Sequence, residues 1–380
     1  MKKIRVMEMI DRPFLGGGQI TVLTLARNLD KDKFEVLVAS EGEGPLVDEL
    51  KKAGIRHIPV KIRKRTGLLG IKGLAHALRG NAVDIVHTHG GVAGLYGRIA
   101  ARKAGIPSIV HTIHGIHYLY YRNPLAKRAS LILERRLSKF TDAVIFVSES
   151  DLGKGLQLHL ALPESARLIR NGVDIPGLPP FFDRAAKRTE LGAGGGPLIV
   201  VVSRLHRQKG LVFLLRALPA VIKARPDVKA VLVGGGPLEN QLRDESRKLD
   251  LGDHASFLGE RTDVAEILAA ADLLVLPSLW EGLPYAVVEA AAAGRPIIAS
   301  DIDGVREVIR NGETGVLVPP GDSAKLAEAI IGLLDNPARA KALAERAQRE
   351  IPPLYSVQQM IRETEALYLE LFRRQSDQIK

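Results

Sequence analysis

Along this chain, short runs of aliphatic and β-branched residues alternate with longer stretches whose apolar positions recur at helical spacing. A short apolar run bounded by polar residues reads as a buried strand, and a recurrence of three and four reads as one face of a helix. In the first half the pattern predicts strands over residues 4–9, 34–39, 56–60, 85–87, 108–113, 143–147 and 167–169. Between them lie amphipathic stretches such as GQITVLTLARNLD and GLYGRIAARKAG. Such repetition implies an α/β layer, a doubly wound (Rossmann-like) parallel sheet covered by helices on both faces.

The rhythm breaks at NGVDIPGLPPFFDRAAKRTELGAGGGP, residues 171–197, a stretch rich in proline and glycine. It reads as an interdomain linker with a short helix near residues 183–191. Alternation then restarts, with strands expected at 198–202, 228–233, 255–258, 273–276, 296–299 and 315–318. A helix follows over 324–334, with Asp322 or Ser323 as its N-cap, and a last helix runs from about 356 to 374. The expected organisation is an N-terminal domain over 1–175, a linker over 176–197 and a C-terminal domain over 198–355. The final segment, 356–380, is expected to pack back on the first domain. A length of 380 residues suits two domains of ordinary size. Ligands of doubly wound sheets sit beyond the carboxyl ends of the strands, so two such domains facing each other would enclose a cleft.

Composition narrows the picture. Cysteine is absent, which excludes a disulfide framework and thiolate metal sites and fits a reducing compartment. The start, MKKIRVMEMI, lacks the apolar core and cleavage site of a signal peptide. No segment has the apolar length of a membrane span, and the expectation is a cytoplasmic protein, peripheral on the membrane at most. The net charge is +11, and residues 1–180 hold 28 Lys and Arg against 16 Asp and Glu, while the rest of the chain is nearly balanced. Such asymmetry points either to an anionic partner of the first half or to a basic solvated surface.

The candidate chemistry falls at the ends of expected strands. Gly16, Gly17 and Gly18 precede a helix, where backbone can approach a ligand closely and the helix N-terminus attracts anions. Their spacing is neither the dinucleotide fingerprint nor a Walker loop, and a plain turn is the competing reading. In LIVVVSRLHRQKG, Arg204 and Lys209 lie in a strand-to-helix loop and can bind a diphosphate, unless they are ordinary exposed cations. In WEGLPYAVVEAAAAGRPIIAS, Glu281 lies in a turn and Glu289 lies among apolar neighbours on the following helix. A buried carboxylate needs hydrogen-bond donors. A ribose diol would offer two. An ion pair with Arg295 or a capped loop would serve as well.

Taken together, VVSRLHRQKG, the two glutamates of EGLPYAVVEAAAAGRPIIAS, VHTIHG and SFLGERTDVAEILAAADLLVLPS resemble glycosyltransferase family 4, over nearly the whole chain. The resemblance implies the GT-B fold and transfer of a sugar, with retention of configuration, from a nucleoside diphosphate sugar to an acceptor hydroxyl. Polysaccharide, lipopolysaccharide or glycolipid synthesis is the expected setting. It implies an acceptor-binding first domain and a donor-binding second one. By resemblance Arg204 and Lys209 bind the donor diphosphate, Glu289 the ribose, and Glu281 the transferred sugar. The backbone of Gly282 and Leu283 would lie beside sugar and phosphates, and that of Leu258 and Gly259 near the base. Gly16 and Gly17 match the loop that closes on the diphosphate, and His114 the active-site histidine. The departing phosphate would accept the acceptor's proton, and no cofactor or metal is expected.

Two features could mislead. His87, His89, His111, His114 and His117 crowd one region, and an i, i+2 pair on a strand shares a face, as a metal site would require. No acidic cluster is expected to accompany them. Asp301-Ile302-Asp303 has the form of a metal-binding Asp-x-Asp motif but reads as loop and helix-capping residues. Two rival functions are a sugar-nucleotide epimerase of the same fold and a non-enzymatic anion- or nucleic-acid-binding protein. The second would want aromatics among its cations, as Tyr118, Tyr120 and Tyr121 beside Arg122 suggest, yet no binding module appears. For membrane contact two stretches qualify. KIRKRTGLLGI sets Lys61, Arg63, Lys64 and Arg65 before Leu68, Leu69 and Ile71, and NPLAKRASLILERRLSKF carries Lys127, Arg128, Arg135, Arg136 and Lys139. The first is favoured, because the second helix's apolar stripe is expected to face its own sheet.

Overall fold

The computed structural model describes residues 3–61, 67–121, 123–175 and 177–378. The chain forms two compact units, one of Met1–Gly172 with Val357–Lys380 and the other of Val173–Ser356.

The first unit runs β1 (Ile4–Met9), α1 (Gly17–Asn28), β2 (Phe34–Ser40), α2 (Pro45–Lys52), β3 (Arg56–Pro59), α3 (Gly67–Gly80), β4 (Ile85–His89), α4 (Gly91–Ala104), β5 (Ser108–Ile113), α5 (Pro124–Ser138), β6 (Ala143–Phe146), α6 (Glu149–Gln157) and β7 (Ala166–Leu168). Its seven strands are parallel in the order β3-β2-β1-β4-β5-β6-β7, so the order reverses direction between β1 and β4. Alternate residues feed opposite cores. Met7, Met9 and Val86 pack toward α3 and α4, while Ile4, Val6 and Ile85 pack on the other face.

The second unit runs α7 (Arg184–Glu190), β8 (Leu198–Val202), α8 (Leu211–Ala224), β9 (Lys229–Val233), α9 (Glu239–Lys248), β10 (Ala255–Gly259), α10 (Val264–Ala270), β11 (Leu273–Leu276), α11 (Tyr285–Ala292), β12 (Ile297–Ser300), α12 (Asp303–Arg306), β13 (Val316–Val318), α13 (Ser323–Leu334) and α14 (Pro337–Glu350). Its six parallel strands follow the order β10-β9-β8-β11-β12-β13, with the reversal between β8 and β11. In β8, Leu198 and Val200 join the core under α10 and α11, and Ile199 and Val201 join the core under α8 and α13. The last helix, α15 (Val357–Gln378), returns to the first unit, where Met360, Ile361, Leu367, Tyr368 and Leu371 complete the β1–β4 core.

Every predicted strand is present within two residues of its expected limits. Asp322, not Ser323, caps α13, accepting from Lys325 N at 2.9 Å. α14 was not foreseen. The stretch 183–190 is tied into the second unit by Arg184 and Arg188, which both bond Asp272 at the foot of β11.

Candidate active site

In a doubly wound sheet the crevice opens where the strand order reverses, at the carboxyl ends of the two central strands. In the second unit that point lies between the loops after β8 and β11. Gly210 shapes it: its φ of +59° is left-handed, and a Cβ there would come within 2.1 Å of the Pro277 carbonyl. Only glycine lets the β8 loop lie so close to the end of β11.

Lys209 and Glu281 meet across this seam, Nζ to Oε1 at 2.5 Å, with the carboxylate almost wholly buried. Ser278 Oγ donates to the same oxygen at 2.7 Å, and Gln208 Nε2 donates to Oε2 at 3.2 Å and to the Trp280 carbonyl at 2.9 Å. The expectation treated Lys209 and Glu281 separately, and Gln208 and Ser278 were missed. Arg204 is exposed on the same loop. The buried Ser203 Oγ beside it has no partner among the described residues.

Glu289 lies half-buried on α11, and its carboxylate has no hydrogen bond or ion pair among the described residues. Desolvation pushes its pKa up to about 7. The structural partner considered for it is engaged elsewhere, since Arg295 donates to the Ala293 and Ala271 carbonyls. Gly282 is buried, and Leu283 packs against the core under α11. Gly304 on α12 permits this packing, because a Cβ there would meet the Gly282 and Glu281 carbonyls at 2.3 and 2.5 Å. Leu258 and Gly259 end β10, and the Gly259 carbonyl accepts from Gly234 N at 2.7 Å. Asp301 is paired with Arg306 Nε at 2.6 Å. Asp303 opens α12, whose N-cap is Ile302, so neither aspartate caps it through its side chain. A separate cavity of about 1120 Å³ lies at the opposite ends of these strands, near Arg188, Asp272 and Arg295.

In the first unit the reversal between β1 and β4 holds a polar cluster inside the core. Gly16 is the N-cap of α1 and Gly17 its first residue. Glu8, wholly buried on β1, lies opposite His87 on β4. One acid, and no acidic cluster, thus accompanies the histidines among the described residues. Glu8, His87 and His89 could hold a metal by proximity, with ligand atoms within 4.8 Å of one another. Their atoms are instead saturated by mutual bonds and by Tyr368 and Thr112. His114 follows β5 and bonds His89 at 3.0 Å. Burial and the neighbouring His89 hold the His114 pKa well below the usual histidine range, so the ring is neutral at pH 7. His111 faces the other side, bonded to Thr88, near the buried Arg98–Glu134 pair.

The favoured membrane stretch centres on Arg63, Lys64 and Arg65, which lie outside the described residues, as does Arg122; Ile71 is buried. For α5 the expectation holds only in part, since Leu131 packs against the core beside β6 and Leu137 is buried. Leu125, Ile132 and Leu133 are exposed, beside exposed Arg128, Arg135 and Arg136, while only Glu134, Leu137 and Ser138 of the helix are buried. Among the described residues no helix is long and apolar enough to cross a membrane.

The comparisons agree with this architecture. The family described as Glycosyltransferase Family 4 matches residues 15–175, and that described as Glycosyl transferases group 1 matches residues 183–350. The chain is 29% identical to the Escherichia coli UDP-Gal:alpha-D-GlcNAc-diphosphoundecaprenol alpha-1,3-galactosyltransferase over 379 residues, 97% of each. It is 38% identical to the phosphatidyl-myo-inositol mannosyltransferase of Mycobacterium leprae over 194 residues, half of each chain. In fold it is similar to Anabaena Alr3699/HepE, solved in complex with UDP and glucose, with a TM-score of 0.85 at 23% identity over 97% of this chain and all of that one. With its two Rossmann-like units matched in tandem, the chain is a glycosyltransferase of the GT-B fold and belongs to glycosyltransferase family 4.

Proposed function

We propose that this glycosyltransferase moves a sugar from a uridine diphosphate sugar to a hydroxyl of a lipid-linked acceptor, with retention and without a metal. The observation that carries the reading is Glu289, a desolvated carboxylate without a partner on the helix that follows the Glu281 loop. A ribose diol supplies the two donors it lacks. Arg204 and Lys209 neutralise the diphosphate as charge builds on the leaving group. Ser278 and Gln208 keep Glu281 hydrogen-bonded when Lys209 turns to a phosphate. Glu281 then faces the transferred sugar with the backbone of Gly282 and Leu283, and Leu258 and Gly259 lie toward the base. On the first unit, Gly16 and Gly17 offer the N-terminus of α1 to an anionic group, and His114 holds a substrate hydroxyl. The departing phosphate takes the acceptor's proton. Cations already occupy the role a metal would fill, and Asp301 is engaged by Arg306.

The uridine donor and the lipid acceptor are supported by the full-length E. coli relative. The exposed face of α5 supports docking on an anionic bilayer, where such an acceptor would be presented. Basic residues beside exposed apolar ones favour an interface, and each cation adds about 1 kcal/mol near anionic lipid. The test is incubation with UDP-, GDP- and ADP-sugars and a polyprenyl-diphosphate-linked sugar in EDTA, read by mass spectrometry. Transfer from a UDP-sugar, with retained configuration, is expected. Transfer that requires Mn²⁺ or Mg²⁺, or an inverted product, would overturn the reading. Vesicle flotation checks docking: binding should need anionic lipid and fall when Arg128, Arg135 and Arg136 become Ser. Equal flotation with neutral lipid would reject it.

A further inference from the structure

We infer that Glu8 and His89 are positioning residues that fix the tautomer of His114, so that its Nδ1 meets the substrate as a hydrogen-bond acceptor. The inference rests on the proposed role of His114 at the substrate. It is carried by a chain of hydrogen bonds whose direction is forced from one end.

That end is Glu8. Its ionised carboxylate only accepts. Burial alone would raise its pKa, but the neighbouring His87 and His89 outweigh burial and hold it below the usual carboxylate range. The hydroxyl of Tyr368 donates to Oε1 at 2.7 Å, and His89 Nε2–H donates to Oε2 at 2.7 Å. His87 is accommodated without disturbing this: Nδ1–H donates to the Tyr368 oxygen at 2.5 Å, and Nε2 accepts from Thr112 Oγ1 at 2.7 Å.

With its Nε2 proton directed at Glu8, neutral His89 has a lone pair on Nδ1. The atom opposite, His114 Nε2 at 3.0 Å, must therefore carry its proton. The His114 lone pair is then on Nδ1, where Asn171 Nδ2 lies at 3.4 Å, a donor facing an acceptor. The two rings lie edge to edge, with centroids 5.3 Å apart and planes at 23°, as an in-plane bond between their nitrogens requires. Gly18 flanks the His114 ring, since a Cβ there would come within 3.4 Å of it. One tautomer and one orientation satisfy every partner. A sugar or acceptor hydroxyl meeting Nδ1 must donate to it, and Asn171 would hold that nitrogen until substrate arrives.

The chain's first strand and last helix thus supply the anchor. Tyr368 reaches Glu8 from α15, 360 residues away in sequence. Partners that orient a metal-bound histidine change activity about 10- to 100-fold when removed, and the same order is expected for a histidine held at a substrate.

The test separates the relay from the assigned reaction. Long-range ¹H–¹⁵N correlation on histidine-labelled protein reads the tautomer without substrate. His114 should be protonated on Nε2 in the wild type and should lose that preference in His89→Leu. In kinetics His89→Leu should lower kcat about 10- to 100-fold with donor KM unchanged. His89→Asn, whose amide oxygen can stand in for Nδ1, should recover most of the loss. Tyr368→Phe preserves packing and serves if His89→Leu does not fold, with a smaller fall in kcat. A wild-type His114 protonated on Nδ1, or His89→Leu with wild-type kcat, would overturn the inference. Absence of transfer in the wild type, with the expected tautomer observed, would count against the assigned role of His114 and not against the relay.

Discussion

Glu289 shows how one residue can register function before a ligand is present. Its carboxylate has a pKa near 7 in the folded chain against about 4.5 when exposed, because burial disfavours its charge. The folded state therefore binds the proton more tightly. The penalty is absent below about pH 4.5, grows as pH rises and is complete above about pH 7, where it amounts to roughly 3 kcal/mol. Glu289→Gln should therefore melt higher than wild type at pH 8, the two converging at pH 4.5, while donor affinity falls. A variant less stable at pH 8 would identify a structural carboxylate. Lys209 behaves differently, because its ion pair with Glu281 exists in the empty site. Lys209→Ala should lose roughly 1–3 kcal/mol of stability by leaving a buried carboxylate short of a donor. Adding Glu281→Gln should restore the melting temperature without restoring turnover. Recovery of both would mean that the pair only holds the loop.

At the scale of elements, the strands were legible because a sheet buried on both faces writes itself as continuous apolar runs. LIVVV and LLVL have no competing pattern. α14 was not legible, since PARAKALAERAQRE has a mostly polar surface and follows α13 after a break of two residues. Glu8 was passed over although its setting, IRVMEM, poses the same question as Glu289, a charge among apolar neighbours. Its answer lay in Tyr368 and His89, whose proximity only the fold creates. α5 was only half legible, because Leu131 and Leu137 pack inward while Leu125, Ile132 and Leu133 lie outside that stripe. In fact the buried face of α5 carries Glu134, which reaches Arg98 on α4 at 2.7 Å. Removing one member of such a buried pair costs about 3–5 kcal/mol, so Glu134→Ala should lower the melting temperature sharply. An unchanged transition would show that Arg98 is satisfied without it. Gly304→Ala tests another contact between elements. Forced against the Glu281 and Gly282 carbonyls, α12 or the loop must shift, so transfer should fall more than stability. Wild-type kinetics would mean that the loop's position is not critical.

For the whole molecule, the resemblance read from a few motifs carried the family and the fold, because those motifs fall at strand ends, where doubly wound sheets bind ligands. The sugar and the acceptor were not legible, since neither is written in sheet or helix periodicity. The returning helix α15 makes the first unit discontinuous in sequence. Truncation before Val357 would strip Met360, Leu367, Tyr368 and Leu371 from its core and should leave that unit unfolded. A truncated chain that melts like the full one would contradict this.

The central claim is that the second unit holds the donor diphosphate and ribose through its own side chains. Calorimetric titration of UDP into the full chain in EDTA tests it most directly. The wild type should bind, and Lys209→Ala and Glu289→Gln should each bind about 10- to 100-fold more weakly, as loss of one hydrogen bond to a charged group implies. Binding that appears only with added divalent metal, or that is unchanged in both variants, would contradict the account.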